Sequence, residues 1–305
     1  PLTTGMIGMH GSQASNVACN ECDLLIAVGC RFSDRVALQP DTFASQAKIV
    51  HIDIDRSEID KNVLTDHHII GSAKRVLELL NERLPQYHHQ SWKEHILPLR
   101  EPQVVEEGDK LTPGQILDAI EKAVPRDAIV ATDVGQHQMW SIQHFHFNYP
   151  GQLLTSGGFG TMGFGLGAAI GAKIGNPDKV VVHTTGDGCF RMNCHELATV
   201  EHYHLPIITV VFNNGTLGMV RQWQHLIYHE HYSQTTLDRG PDFVKLAEAY
   251  GLKGKRVTNR AEMEQALQEA LSCGCGYVID CQVDMDEMVR PMVAGGAHIT
   301  DFLLK

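Results

Sequence analysis

The sequence has no run of lysine and arginine. Its 25 basic residues face 36 acidic ones, a formal net charge of −11. Binding to nucleic acid or to an anionic membrane rests on concentrated positive charge, so neither is an expected partner. No apolar run is long enough to span a bilayer. No leader-like segment opens the chain, which begins with Pro1 rather than Met inside what reads as a folded unit. The expectation is a C-terminal piece of a longer cytoplasmic protein. There are eight cysteines, but their two close pairs, Cys19/Cys22 and Cys273/Cys275, stand about 250 residues apart. A tetrahedral zinc site ordinarily takes two pairs at ligand spacing, so reduced, mostly buried thiols are expected instead. The 18 histidines show no consistent metal-ligand spacing, and no internal repeat is visible.

What is present is enough apolar residue, 43% of 305, for two buried cores. In the first region, residues 23–29 and 47–55 are apolar runs bounded by turn residues, as buried parallel strands are. His68–Gly71 is a short third strand, and residues 72–84 have helical spacing behind a Ser72 N-cap. This alternation predicts a doubly wound α/β domain. Gly8-Met9-His10-Gly11 precedes a helix-like stretch, Asp53 ends the second strand where such folds bind a ribose, and Arg31 and Arg35 follow Gly29 where they could pair a diphosphate. Read from the residues alone, nucleotide binding and an ordinary α/β domain with glycine turns both remain open. Residues 86–111, with Pro98, Pro102, Glu106 and Glu107, read as a linker between a domain at 1–85 and another at 112–305.

The second region repeats the α/β pattern. Thr112-Pro113 opens a helix, and strands are predicted at 128–133, 153–156, 180–186, 207–212 and 277–283. Further helices are predicted at 168–174, 241–250 and 260–272. The glycines of 157–167 would weaken a helix and suggest backbone lying against a ligand. The tail, Met288–Lys305, with Gly295-Gly296 at its centre, reads as a flexible flap.

The chemistry concentrates in residues 180–223. One apolar strand ends in Gly186-Asp187-Gly188, and another ends in Asn213-Asn214. The 24 intervening residues suffice for one crossover helix and one strand. Parallel neighbours would bring a carboxylate and a carboxamide to the sheet edge where open α/β sheets bind ligands. Magnesium takes about six hard oxygen ligands, some from phosphates. Asp187, the Asn214 amide and the Thr216 carbonyl are candidate ligands, and Gly188 leaves room for a diphosphate. The competing reading is two unrelated Asp-Gly and Asn-Gly turns.

The Gly-Asp-Gly…Asn-Asn pattern resembles the thiamine-diphosphate enzymes. Gly218-Met-Val-Arg-Gln-Trp-Gln224, Gly158–Gly163, Gly135–Trp140 and Gly5–Gly11 occur in the order seen in the acetolactate (acetohydroxyacid) synthase catalytic subunits. The resemblance covers essentially the whole chain. It implies two doubly wound parallel-sheet domains, a truncated FAD-binding central domain and a thiamine-diphosphate-binding C-terminal domain. It implies decarboxylation of pyruvate and condensation with pyruvate or 2-ketobutyrate. It assigns Asp187, Asn214 and Thr216 to magnesium. It assigns Gln136, His137, Gly160, Met162, Gly186, Gly188, Cys189 and Met219 to the cofactor, with Met162 holding it bent. Trp223 and Met219 would shape the pocket for the second ketoacid. Met9, His10, Gly29, Arg31, Arg35, Val36, Asp53 and Ile54 match positions that contact a structural FAD. A homodimer or homotetramer and a small regulatory subunit would be the partners.

The departures are specific. Ser72 stands where the family often has Asp, Cys189 where it has Ser or Ala, and Gly167 where Pro is common. The glutamate that activates the cofactor belongs to an N-terminal domain outside this sequence, so the 305 residues alone are expected to turn nothing over. Other thiamine-diphosphate carboligases or decarboxylases, including the FAD-independent catabolic acetolactate synthase, and a non-catalytic cofactor-binding module are the alternative readings.

Overall fold

The computed structural model describes residues 2–100 and 108–303. The predicted connection through Pro102, Glu106 and Glu107 lies outside those residues. The chain divides into two compact units, one of residues 1–102 with 290–305 and one of residues 103–289.

In the first unit, helix α1 (Gln13–Glu21) starts where the Ser12 hydroxyl accepts from the Ser15 N–H, satisfying one of the donors a helix start leaves over. Strands β1 (Leu24–Val28), β2 (Lys48–Asp53) and β3 (His67–Ile70) form a parallel sheet in that order. The strand at 23–29 is where it was predicted but is not fully buried. It is an edge of the described sheet, and Leu24, Ile26 and Val28 on one face are 50%, 45% and 38% exposed. Helix α2 (Ala73–Arg83) follows with Ser72 at its N-cap, although the Ser72 hydroxyl makes no capping bond. The predicted linker contains a helix, α3 (Gln90–Ile96), which belongs to this unit and brings His95 Nε2 to 2.6 Å from Glu21 Oε2 of α1.

The second unit opens with α4 (Pro113–Ala123), where Thr112 and Gln115 cap one another reciprocally and Pro113 takes a position that needs no N–H. There follow β4 (Ile129–Thr132), α5 (Gln136–His144), β5 (Leu153–Thr155), α6 (Phe164–Gly175), β6 (Val181–Gly186), α7 (Asp187–Asn193), α8 (Leu197–His202) and β7 (Ile207–Asn213). After them come α9 (Gly218–Leu226), α10 (Phe243–Ala249), β8 (Lys253–Val257), α11 (Arg260–Cys273) and β9 (Tyr277–Gln282). The six strands form one parallel sheet in the order β5-β4-β6-β7-β9-β8. Its central strands are buried on both faces, as their unbroken apolar composition requires. Ile116, Ile120, Trp140, Met263 and Leu267 form the core on one side, and Leu166, Phe190, Leu197, Phe243 and Ala247 on the other. Each fully buried Ile, Leu, Phe or Met among them contributes roughly 1.5–3 kcal/mol.

Three expectations are corrected here. The glycine-rich helix begins at Phe164, not Ala168, so Gly165 and Gly167 lie inside it. Strand β8 was not foreseen, because Lys253-Gly-Lys-Arg-Val257 carries no apolar alternation. The tail is neither a flap nor part of the 112–305 domain. Residues 290–305 belong to the first unit, where β10 (Met292–Val293) pairs antiparallel with β11 (Phe302–Leu303). Met292, Val293 and Ile299 are buried there, the Val293 N–H donates to the Met9 carbonyl, and the Asn16 amide donates to the Ile299 carbonyl. The paired glycines make the tip of a packed segment rather than a loose one.

Candidate cofactor and metal site

In the order β5-β4-β6-β7, β4 connects outward to β5 and its neighbour β6 connects the other way to β7, so the connections leaving the C-terminal ends of β4 and β6 run in opposite directions. The gap this opens is where doubly wound sheets take a ligand. A cleft lies there, lined by Val134–His137 after β4, Gly186–Cys189 after β6, Asn214 and Thr216–Val220 after β7, and Met162. The structure thus brings together Gln136, His137, Met162, Gly186, Asp187, Gly188, Cys189, Asn214, Thr216 and Met219, as the sequence suggested. Gly160, with φ +73°, and the half-buried Trp223 are not among the lining residues.

Asp187 is the cleft's principal charge. It is 1% exposed, and its Oδ2 has no hydrogen-bond partner. Burial pushes its carboxyl up to about 6, against the pull of Arg191 and of the Gly188, Asp187 and Gly215 N–H groups. A buried carboxylate oxygen with nothing to meet it is costly and calls for a cation. The other donors are neutral. Asn214 Oδ1 accepts from the Thr216 N–H at 3.2 Å. Thr216 forms an antiparallel bridge with Thr236, and the bonding there runs through its neighbours, Leu217 N–H to Thr235 O and Leu237 N–H to Gly215 O. Thr216 therefore turns its own N–H and C=O away from that ladder, on the side of Asn214. One carboxylate, one carboxamide and one carbonyl are an all-oxygen set suited to magnesium and too few to complete its shell, leaving positions for phosphate oxygens or water. Among the described residues no group of three or more His, Cys, Asp or Glu forms a metal cluster.

The cleft's walls have no space to give. A Cβ on Gly188 would stand 2.8 Å from Leu217 Cδ2, and one on Gly186 3.0 Å from His137 Nδ1. The His137 ring bonds the Asp133 carbonyl, its Nε2 has no partner, and burial pushes its pKa down to about 4, so the ring is neutral at pH 7. Cys189 donates to the Val134 carbonyl at 3.0 Å, and burial pushes its thiol up to about 12. It is an inert packing group. The eight thiols are all free, but five are only half-buried, more than expected.

The sequence reading missed Asp133. Its carboxylate takes the Gly165 N–H on one oxygen and the Thr185 hydroxyl and His183 Nε2 on the other, at 3.0, 2.8 and 3.0 Å. Burial alone would raise it, but the His183 bond and charge and those two donors hold it well below the usual carboxylate range. It ties the ends of β4 and β6 to the start of α6. Two features signalled it, a strand ending in Asp directly before Val-Gly and an isolated His within an apolar strand.

In the first unit, Val28 pairs with Ile52, so Gly29 (φ +61°), just past the end of β1, stands beside Asp53, the last residue of β2 and still paired with Ile70. The Met9 N–H donates to the Arg35 carbonyl, and a Cβ on Gly8 would sit 2.9 Å from Val36 Cα. Met9, His10, Arg35 and Val36 are thereby drawn together. Arg35 is also paired with Asp34 at 2.7 Å, and Ile54 is 78% exposed.

Residues 133–281 match the family described as thiamine pyrophosphate enzyme, C-terminal TPP binding domain, and residues 1–80 match its central domain. The chain is 44% identical to a probable acetolactate synthase large subunit of Methanocaldococcus jannaschii, over 99% of this chain and 53% of the relative. It is 43% identical to the acetolactate synthase isozyme 2 large subunit of Escherichia coli K12, over 100% of this chain and 56% of that one. It is 44% identical to the acetolactate synthase large subunit of Pyropia yezoensis, over 96% and 51%. The chain thus spans about half the length of the curated relatives it matches. With a cleft at the switch point and both domain descriptions matched in order, the chain belongs to the thiamine pyrophosphate enzymes and is similar, along nearly all its length, to acetolactate synthase large subunits.

Proposed function

We propose that this chain supplies the metal and diphosphate half of an acetolactate synthase. The whole protein would decarboxylate pyruvate and condense the remainder with pyruvate or 2-ketobutyrate, opening branched-chain amino acid synthesis. The observation that carries this reading is the unpartnered, buried Oδ2 of Asp187 at the switch point between β4 and β6. Asp187, Asn214 and the Thr216 carbonyl would hold Mg2+ against the diphosphate, and Gly186 and Gly188 would let the backbone approach it. Thiamine diphosphate, when bound, supplies the electron sink that a 2-ketoacid needs to lose carbon dioxide. The chain's own part is to orient and to exclude water. Met162 and Met219 present apolar surface to the cleft, Gln136 and His137 close its floor, and the half-buried Trp223 would shape the second ketoacid's pocket. Met9, His10, Gly29, Arg31, Arg35, Val36, Asp53 and Ile54 would hold a structural FAD in the first unit. The relatives' name, large subunit, supports a smaller regulatory partner for a dimer or tetramer of the whole protein. Eight free thiols and a biosynthetic role fit a cytoplasmic place. No described helix is long and apolar enough to cross a membrane.

The test is a titration of thiamine diphosphate, or inorganic diphosphate, into the 305-residue chain, followed by tryptophan fluorescence, since Trp140 lines the cleft. Quenching that needs Mg2+ and vanishes with EDTA is expected, without acetolactate formation. No response to either ligand at millimolar concentration with Mg2+ overturns the reading. In the whole protein, Trp223→Leu is expected to lower the 2-ketobutyrate preference severalfold in a mixed-substrate assay. An unchanged product ratio would return Trp223 to a packing role.

A further inference from the structure

We infer that Gln136 and Gln222 are positioning residues that decide which end of the Asn214 amide faces the metal. The inference rests on the metal reading above and adds the device that makes Asn214 a ligand. A carboxamide is nearly symmetrical in shape, yet only its oxygen can bind a cation, and its NH2 group would repel one.

The orientation is set from backbone. The Val289 N–H donates to Gln222 Oε1 at 2.9 Å, and Gln222 Nε2 donates to the Val289 carbonyl at 3.0 Å. A peptide group cannot exchange its N–H and C=O, so the two ends of Gln222 are fixed. Gln136 then has an acceptor, Gln222 Oε1, at 2.9 Å and a second, the Glu287 carbonyl, at 2.8 Å. Only its Nε2 can serve both, which turns Gln136 Oε1 toward Asn214. That oxygen takes the Asn214 Nδ2 hydrogen at 3.3 Å. Asn214 Oδ1 is left on the other side, accepting from the Thr216 N–H at 3.2 Å with a lone pair to spare. Gln222 and Gln136 are 2% and 4% exposed, so water does not compete for these contacts. Gly218 keeps the path open. A Cβ there would collide with Gln136 Oε1 and stand 2.7 Å from Asn214 Nδ2. Outer partners of metal ligands are worth about 10–100-fold in metal affinity.

The experiment reads the Mg2+ concentration that half-saturates thiamine diphosphate binding, by tryptophan fluorescence, in Gln136→Met, Asn214→Asp and the double variant. Gln136→Met frees the amide to turn, and a rise of about tenfold is expected. Asn214→Asp sets a carboxylate against Gln136 Oε1 and is also expected to weaken Mg2+. In the double variant that repulsion is gone, and a carboxylate has no wrong end. The double variant is therefore expected to recover its Mg2+ requirement toward wild type. Additive losses would overturn the positioning role, because a merely structural Gln136 gives no rescue. An unchanged Mg2+ requirement in Asn214→Ala would instead remove Asn214 as a ligand, and the metal reading with it. Should Gln136→Met not fold, Gln222→Met enters the same cycle with Asn214→Asp, and the same two outcomes decide.

Discussion

Asp187→Asn is expected to abolish Mg2+-dependent diphosphate binding, by at least about a hundredfold, and to make the ligand-free protein more stable at neutral pH. Both effects come from one atom. Oδ2 is buried without a partner, and burial sets the folded pKa at about 6 against an ordinary value of 3.8. The sign follows from linkage. A carboxyl whose folded pKa is raised holds its proton longer in the folded state, so it costs nothing below about pH 4. Its cost grows as pH rises from about 4 to 6 and is complete above that. At about 1.4 kcal/mol per unit, the cost at pH 7.5 is on the order of 2–3 kcal/mol. Asparagine keeps the shape without the charge. Melts in EDTA at pH 5.0 and 7.5 check this. The wild type should gain on acidification relative to the variant, and parallel pH profiles would sink the assignment. Metal binding must expel the same proton, so the wild type's Mg2+ affinity is expected to fall about tenfold per pH unit below 6. Selection for binding explains a group that stability alone would remove.

The legible part of this site was the part written in contiguous residues. Strands β6 and β7 are unbroken apolar runs, and the turn residues that end them are the proposed ligands, so Asp187 and Asn214 could be read directly. Gln222 could not, because its role depends on the backbone of Val289, 67 residues away. Asp133 was hidden for the same reason, its partners lying 32 to 52 residues on. The tail was misread because composition alone made it a flap. Its burial depends on Met9 and Asn16, nearly the whole chain away. Helix α3 fell within a proline-bounded polar stretch, where local signals favour a linker. Helix α6 starts four residues before the predicted 168, because glycine's poor intrinsic propensity says nothing of what each glycine faces.

The glycines of α6 give an opposed pair of expected results within one helix. Gly165→Ala is expected to destabilise the protein by about 3 kcal/mol or more, whereas Gly167→Ala should stabilise it by up to about 1 kcal/mol. At Gly165 a Cβ would stand 2.6 Å from His183 Nε2, 2.8 Å from His183 Cδ2 and 2.8 Å from the Asp133 backbone nitrogen. Neither obstacle can retreat. The Asp133 N–H is committed to the Thr184 carbonyl, and His183 is fully buried with Nε2 on the Asp133 carboxylate. Relief requires moving α6 away from β4 and β6, which breaks the Gly165 N–H bond to Asp133 and leaves part of a buried carboxylate unsatisfied. Gly167, two residues on, is exposed with nothing within 4 Å of a Cβ, so alanine there only restricts the unfolded chain and improves helix propensity. Thermal melts of the two variants decide. If Gly165→Ala melts within a degree or two of wild type, His183 and Asp133 do not clamp α6 at the cleft. If it melts far lower and Gly167→Ala slightly higher, the glycines of α6 divide into one that the site requires and one that it tolerates. Because α6 follows directly on Met162 and Gly163, a displaced α6 should also weaken Mg2+-dependent diphosphate binding in any Gly165→Ala protein that still folds. Gly167→Ala should leave that binding where it was.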